Sequence, residues 1–238
     1  MLLVLAAALF PDILYLRYRN PGITALMSRR GAPVIQTWVP LHRISPHLLQ
    51  AVMTGEDLDF YNHGGVDLYE LQQSIKRNWR EKRWARGGST ITMQLAKNLY
   101  LSTRKTPVRK ILELVITLEL EQILPKARIL EIYLNVIEWG DHRYGAEAAS
   151  RHYFGKSAAA LAPAEAAWLA AIIPNPRAWS LPKYARYADR RKRWILYRMG
   201  HPKEEAEEPA APEIIEESPP PESSEPEPLP PEEPAEPE

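Results

Sequence analysis

The chain of 238 residues is long enough for one ordinary domain with appendages, and its lack of cysteine excludes disulfides, thiol catalysis and cysteine-based metal sites. Of its 30 basic and 30 acidic side chains, one Lys and fourteen Glu fall in residues 203–238, which leaves 29 basic against 16 acidic groups in residues 1–202. A body of charge +13 predicts an anionic partner, such as phospholipid head groups, a pyrophosphate or nucleic acid, with a merely solvated charged surface as the alternative.

The first residues predict a short hydrophobic signal or anchor segment. Met1 to Phe10 is wholly apolar, Pro11-Asp12 interrupts the run, and Ile13 to Leu16 continues it before Arg17. A spanning helix needs about 20 apolar residues, so residues 1–19 fit a signal sequence core, a short anchor or the end of a longer anchor. Basic residues follow the run and none precedes it, a distribution that taken alone favours a cytoplasmic body.

Residues 20–44 are predicted to be a connecting loop, because proline and glycine interrupt any helical pattern there. Residues 45–200 are predicted to be a mainly helical domain, since no segment alternates with the strand period. Ser45-Pro46 and Thr106-Pro107 each combine an N-cap residue with proline at the first helical position. The predicted helices cover about residues 46–54, 68–84, 90–101, 107–124, 125–138, 145–152, 162–173 and 183–199. Residues 201–238 are dominated by Pro and Glu and predict a disordered tail.

Glu56 is the first of two carboxylates that suggest chemistry rather than solubility. It follows a predicted helix and precedes Phe60, His63 and two glycines. Glycine lets a ligand approach the backbone, and a neighbouring aromatic ring excludes water from a carboxylate, which suits proton transfer near neutral pH. The structural alternative is that Glu56-Asp57 caps a helix and His63 is an ordinary loop residue.

Glu113 is the second carboxylate, and it lies one helical turn after Arg109 within an apolar run. Its apolar neighbours are expected to surround it with hydrocarbon: Ile111, Leu112, Leu114, Val115 and Ile116. An acid in such a place must be paired, reached by solvent through a cleft, or neutral. The functional interpretation is a carboxylate poised by a cation near a reacting centre, and the alternative is a structural salt bridge with Arg109.

A cluster of cations follows the Gly-Gly-Ser-Thr turn at residues 87–90. The turn opens a predicted helix that carries Gln94 and Lys97, and Arg109 and Lys110 begin the next one. Free backbone N–H groups at a helix start favour an anion, and nearby cations add to this. The turn lacks the Gly-Lys-Ser/Thr ending of a Walker loop. An ordinary capped amphipathic helix with exposed lysines is the alternative.

Together these segments resemble the peptidoglycan glycosyltransferases of glycosyltransferase family 51, in their monofunctional membrane-bound form, over about residues 45–178. Five groups of residues carry the resemblance in the family's order: Glu56-Asp57 with Phe60, His63, Gly64 and Asp67; residues 87–98, Gly-Gly-Ser-Thr-Ile-Thr-Met-Gln-Leu-Ala-Lys-Asn; Arg109-Lys110 with Glu113, Glu121, Lys126 and Tyr133-Leu134-Asn135; Gly140, Gly145 and Tyr153-Phe154-Gly155-Lys156; and Glu165-Ala166-Ala167. Met93 stands where glutamine is common, and Thr54-Gly55 stands where the pattern has residues such as Ala and Ser.

The resemblance implies an all-α, lysozyme-like glycosyltransferase domain with a large lobe and a smaller hydrophobic lobe against the membrane. It implies that Glu56 is the general base, that Glu113 is the second catalytic acid, and that lipid II is polymerised into glycan strands. The implied substrate-binding residues are Asp57, Phe60, His63, Ser89, Thr90, Gln94, Lys97, Asn98, Arg109 and Lys110. The implied location is the bacterial inner membrane, single-pass, with the catalytic domain on the periplasmic side.

The implied partners are lipid II, the growing glycan strand, the membrane and other cell-wall synthesis proteins, without nucleic acid. No cofactor or metal ligand is assigned, although a divalent cation such as Mg²⁺ or Mn²⁺ stays open as a partner of Glu113.

Three other functions stay open at the level of sequence. A muramidase or lytic transglycosylase shares the fold but needs an acid to protonate a sugar oxygen and gains little from clustered cations. A penicillin-binding transpeptidase would use Ser102 and Lys105, which fit Ser-x-x-Lys, but no Ser-Asp-Asn or Lys-Thr-Gly partner occurs in the chain. A non-catalytic membrane-associated scaffold would have no need of Glu56 and Glu113.

Overall fold

The computed structural model describes residues 11–68, 72, 89–102 and 106–201. The apolar residues 1–10, most of the helix predicted over residues 68–84, the Gly87-Gly88 turn and the tail beyond residue 201 lie outside the described residues.

Eight α-helices and three very short strands make up the described part of the chain, so the prediction of a mainly helical fold is confirmed. The helices are α1 (Ala25–Arg30), α2 (Pro46–Glu56), α3 (Ile91–Tyr100), α4 (Pro107–Ile123), α5 (Lys126–Val136), α6 (Ala146–Phe154), α7 (Pro163–Ile172) and α8 (Pro182–Gly200). The strands are β1 (Ile35–Gln36), β2 (Glu138–Gly140) and β3 (Arg143–Tyr144). They form one sheet in the order β1-β3-β2, with β1 parallel and β2 antiparallel to β3.

The segment 20–44 is more ordered than the predicted loop. It contains α1, whose Thr24 cap accepts a hydrogen bond from the backbone N–H of Met27 at 3.2 Å, and it contains β1. The side chain of Asn135 on α5 clamps the segment, because its amide group both accepts from the N–H and donates to the carbonyl of Val39, each at 2.9 Å. Elements this short present too few residues for a periodic pattern, so the sequence could not predict them.

The two N-cap predictions are confirmed, since Ser45 and Thr106 accept hydrogen bonds from the first turns of α2 and α4. Helix α2 continues past the predicted end at residue 54 and finishes on Glu56. Gly145 is required where β3 turns into α6, because its φ is +87° and a Cβ there would lie 2.7 Å from the carbonyl oxygen of Asn135.

The helices form two packed groups. Helices α2, α7 and α8 pack against one another, and α3 packs against both α4 and α5. Alanines on α7 supply much of the first contact, and its fully or nearly fully buried members are Ala166, Ala167, Ala170 and Ala171. Because Glu56 ends α2 and Gln94 lies on α3, the boundary between the two groups is where the candidate site forms.

Helix α4 has an exposed apolar face, and this corrects part of the expected surroundings of Glu113. Ile111, Leu112 and Leu114 are exposed, while Glu113 is 3% exposed on the inward face together with the fully buried Ile116. Residues three apart on a helix share a face, whereas residues one or two apart point in different directions. No helix within the described residues is both long enough and apolar enough to cross a bilayer.

Candidate active site

Glu56 is held between two helices that are distant in sequence. One carboxylate oxygen accepts a hydrogen bond from Nε2 of Gln94 on α3 at 2.8 Å, and the other accepts from Nη2 of Arg191 on α8 at 2.6 Å. The side chains of Glu56 and Arg191 are each 9% exposed. A carboxylate has more acceptor positions than these two bonds use, so Glu56 can still accept a hydrogen bond from a hydroxyl group of a bound sugar.

The amide of Gln94 has a defined orientation. The hydroxyl of Tyr133, on α5, donates to Oε1 of Gln94 at 3.0 Å, which turns the Nε2 donor towards Glu56. Burial, followed by the neighbouring charge of Glu56, raises the pKa of the Tyr133 hydroxyl well above its usual value. Tyr133 therefore remains a hydrogen-bond donor, and α3 and α5 together aim the amide at the carboxylate.

Asp57 fastens the residues after α2 to the start of α3. Its Oδ2 accepts from the backbone N–H of Ile91 at 2.9 Å, and its Oδ1 lies 2.7 Å from Nε2 of His63. The backbone N–H of Gly65 donates to the other ring nitrogen of His63, so the hydrogen is on Nε2. Burial raises the pKa of Asp57, and the hydrogen bonds from His63 and Ile91 oppose that shift. These contacts support a structural contribution for Asp57 and His63, next to Glu56.

Glu113 gathers two cations at the first turn of α4. Arg109 pairs with its Oε2, and Nζ of Lys110 lies 2.6 Å from its Oε1. The Lys110 side chain is 46% exposed, and its Nζ also reaches Oγ of Ser89 at 3.3 Å. The structure thus contains the salt bridge that sequence offered as an alternative, and it adds Lys110 to that salt bridge.

Ser89 connects the two carboxylate groups. Its backbone carbonyl lies 3.5 Å from Nε2 of Gln94, and its hydroxyl accepts from Lys110. Glu56, Gln94, Ser89, Lys110 and Glu113 therefore follow one another in a continuous series of polar contacts. The carboxylates predicted from sequence belong to one site and do not lie in separate regions of the molecule.

The remaining predicted site residues differ in their access to a ligand. Phe60 is fully buried beneath Nζ of Lys126, and Thr90 is 3% exposed and caps α3. Both lie in the interior, Phe60 after the end of α2 and Thr90 before the start of α3. Lys97 is partly buried and Asn98 is buried one turn after Gln94 on the same helix, so Lys97 and Gln94 share a face of α3.

Sequence reasoning missed Arg191 and did not assign a role to Tyr133. Arg191 belongs to a run of basic residues on α8. The signal that could have found it is helical spacing, because Arg191 shares a face of α8 with the buried residues Tyr187, Ala188 and Ile195. Tyr133 lies in one of the motifs that carry the resemblance, which is the only signal that could have drawn attention to it.

A divalent cation does not fit the donor set around Glu113. Such an ion needs several oxygen ligands, whereas Glu113 offers one carboxylate and its two partners are cations that repel a metal ion. Within the described residues, no group of three or more His, Asp or Glu side chains could hold a metal ion.

The geometry suits the transfer of a group from an anionic leaving group to a hydroxyl. A buried, oriented carboxylate can accept a proton, and the cations around Glu113 can stabilise negative charge that develops nearby. The contacts of Ser89 bring the proton acceptor and the stabilising cations into adjoining parts of the molecule.

A family model described as Transglycosylase matches residues 24–200. A protein of Nitrosomonas europaea named biosynthetic peptidoglycan transglycosylase is 48% identical over 201 residues, covering 77% of this chain and 82% of the relative. Proteins of the same name from Nitrosospira multiformis and Methylobacillus flagellatus are 44% and 46% identical over 200 residues, each covering 80% of this chain and 87% of the relative. The chain therefore belongs to the transglycosylase family, and the expected lysozyme-like helical domain is confirmed.

Proposed function

We propose that this protein is a peptidoglycan glycosyltransferase that polymerises lipid II into β-1,4 glycan strands and releases undecaprenyl pyrophosphate. The membership of the family and the names of the relatives support the general activity. The single structural observation that carries the proposal is the placement of buried Glu56 in the same series of contacts as the Arg109–Lys110–Glu113 cluster.

In the proposed reaction Glu56 removes the proton from the 4-hydroxyl of the acceptor sugar. The resulting oxygen forms a bond with C1 of the donor while the bond from C1 to the lipid pyrophosphate breaks. Arg109, Lys110 and Lys97 stabilise the departing negative charge, so the leaving group needs no strong acid. An α-linked donor and a β-linked product require inversion, which a single displacement provides.

Within this mechanism Glu113 organises the cations. A free guanidinium and a free ammonium can adopt many positions, whereas the shared carboxylate fixes both at one place beside Ser89. The same cluster argues against a muramidase, because Arg109 and Lys110 suit a departing anion and glycan cleavage gains little from clustered cations. A transpeptidase has less support, since Ser102 has no partner motif in the chain.

We place the protein at the bacterial cell envelope, with the site on the periplasmic side. The exposed apolar face of α4 offers a surface for the lipid end of the substrate and for the membrane; its exposed members are Val108, Ile111, Leu112, Leu114 and Leu118. A single-pass anchor within residues 1–19 and contacts with other cell-wall synthesis proteins remain parts of this proposal.

The decisive experiment is polymerisation of lipid II by the purified full chain and by E56Q. Loss of a positioned general base lowers turnover by a factor of about 10²–10⁴, and we expect E56Q to lose polymerisation to that extent while keeping its thermal unfolding temperature. D59N is the matched control, because Asp59 is an exposed carboxylate three residues along the chain.

The same proteins should also be incubated with preformed glycan. Shortening of glycan without growth of strands from lipid II would reject the synthetic function in favour of cleavage. Near-normal polymerisation by E56Q would reject Glu56 as the base.

A further inference from the structure

Arg191 makes two contacts at the carboxyl end of α2. Its Nη2 donates to Oε1 of Glu56 and to the backbone carbonyl of Gly55, each at 2.6 Å. The carbonyl groups at the end of a helix carry partial negative charge, so a carboxylate at the last position of α2 is electrostatically unfavourable without a cation. One guanidinium nitrogen supplies that cation to both groups.

The close approach of α8 depends on the residue before Glu56. A Cβ on Gly55 would lie 3.2 Å from Cδ1 of Ile195 and 3.4 Å from Nη2 of Arg191. Glycine at this position gives Arg191 room against the backbone of α2. The departure of Thr54-Gly55 from the family pattern therefore has a physical counterpart in the packing of α8.

The other groups that face Glu56 cannot replace this charge. Gln94 on α3 is neutral, and Tyr133 on α5 is a protonated hydroxyl. Asp57 is itself acidic, and its Oδ1 is in contact with His63. Arg191 is thus the cation that the structure places in hydrogen-bond contact with Glu56 among the described residues.

We infer that Arg191 is a positioning residue that holds the carboxylate of Glu56 aimed at the acceptor hydroxyl. The inference rests on the proposed function of Glu56 as the base. Removing the guanidinium breaks the hydrogen bond to Glu56 and frees its carboxylate to move, and a misplacement of about 1 Å can lower a rate about a hundredfold.

The test measures kcat and KM of R191M, R191K and R190M in lipid II polymerisation. We expect R191M to lose about a hundredfold in kcat with little change in KM. Because a single nitrogen makes both contacts, the ammonium of R191K should restore part of kcat. R190M removes an exposed arginine from the same helix and should behave as the wild type.

Two outcomes would overturn the inference: R191M with wild-type kcat, or a folded R191M whose loss of kcat is not reduced in R191K. If R191M fails to fold, the double variant E56Q/R191M decides the matter. It should regain cooperative thermal unfolding, because the buried carboxylate without a partner is gone, and continued failure to fold would reject the pairing.

Failure of the proposed function is distinguishable. A wild-type protein that does not polymerise lipid II rejects the enzymatic proposal. The thermal unfolding of the four combinations at residues 56 and 191 then still measures their coupling, and additive effects would reject the inference by itself.

Discussion

At the scale of single residues, Glu113 illustrates how a buried acid is tolerated. It is 3% exposed, yet its two oxygens are held by Arg109 and Lys110 and its backbone carbonyl accepts from the hydroxyl of Thr117 at 2.7 Å. The charge is compensated on both oxygens, so the carboxylate does not need water. The arrangement also concentrates positive charge beside Ser89, where the proposed leaving group would be.

We predict that E113Q loses both stability and activity. Breaking a fully buried ion pair costs about 3–5 kcal/mol, and the partial exposure of Lys110 reduces the expected loss to about 2–3 kcal/mol. Urea unfolding measures the loss, and turnover of lipid II should fall because the two cations are no longer fixed. D189N, which removes one charge from the exposed Asp189–Arg193 pair, is the control. An E113Q protein as stable and active as the wild type would show that Glu113 does not organise this site.

At the scale of elements, α7 determines how closely α2 and α8 approach each other. Its buried face is made largely of alanine, and small side chains allow helix backbones to come close. The contact between Glu56 on α2 and Arg191 on α8 depends on that spacing. A helix with few polar groups and no candidate site residue therefore has a direct effect on the geometry of the site.

We predict that A167L separates α2 from α8. Ala167 is fully buried, and extra methylene groups in a packed core cost about 1–3 kcal/mol through shifts of the backbone. Thermal unfolding should report that loss, and kcat should fall with little change in KM, as expected of R191M. A164L is the matched control, because Ala164 is an exposed alanine on the same helix. Equal activity of A167L and A164L would contradict a role of α7 in spacing the site.

At the scale of the whole molecule, the distribution of charge along the chain bears on the binding of anionic partners more than the net charge does. Residues 1–202 have 29 basic and 16 acidic side chains, and residues 203–238 have one Lys and fourteen Glu. A body of this sign attracts an anionic membrane and a pyrophosphate, and an acidic tail on the same chain competes with both. The tail begins just after α8, which exposes Arg186, Arg190 and Arg193.

We predict that deletion of residues 203–238 strengthens binding to vesicles that contain phosphatidylglycerol by about tenfold or more at low salt. The difference should shrink at 1 M salt, where the screening length is about 3 Å. Vesicle sedimentation measures the binding. A full-length protein with its fourteen tail Glu changed to Gln separates the effect of the tail's charge from the effect of its length. This variant should bind the vesicles as the truncated protein does. Equal binding of the full-length and truncated proteins at low salt would contradict competition by the tail.

The sequence by itself determined the helical class, the caps at Ser45 and Thr106, and the identity of both carboxylates, because these depend on local patterns and motifs. The short elements α1 and β1 could not be predicted, since they are stabilised by contacts such as those of Asn135 with Val39 rather than by their own residues.

Only the tertiary structure decided which side chains complete the site. Arg191 lies 135 positions from Glu56 in the chain, and although helical spacing places it on the buried face of α8, only the packing of the helices shows that its partner is Glu56. Ile111, Leu112 and Leu114 turned outward for a similar reason, because the direction of a side chain depends on which helix face is covered. Helix caps and motifs depend on residues that are neighbours in sequence, whereas the pairing of charges depends on how helices that are distant in sequence pack.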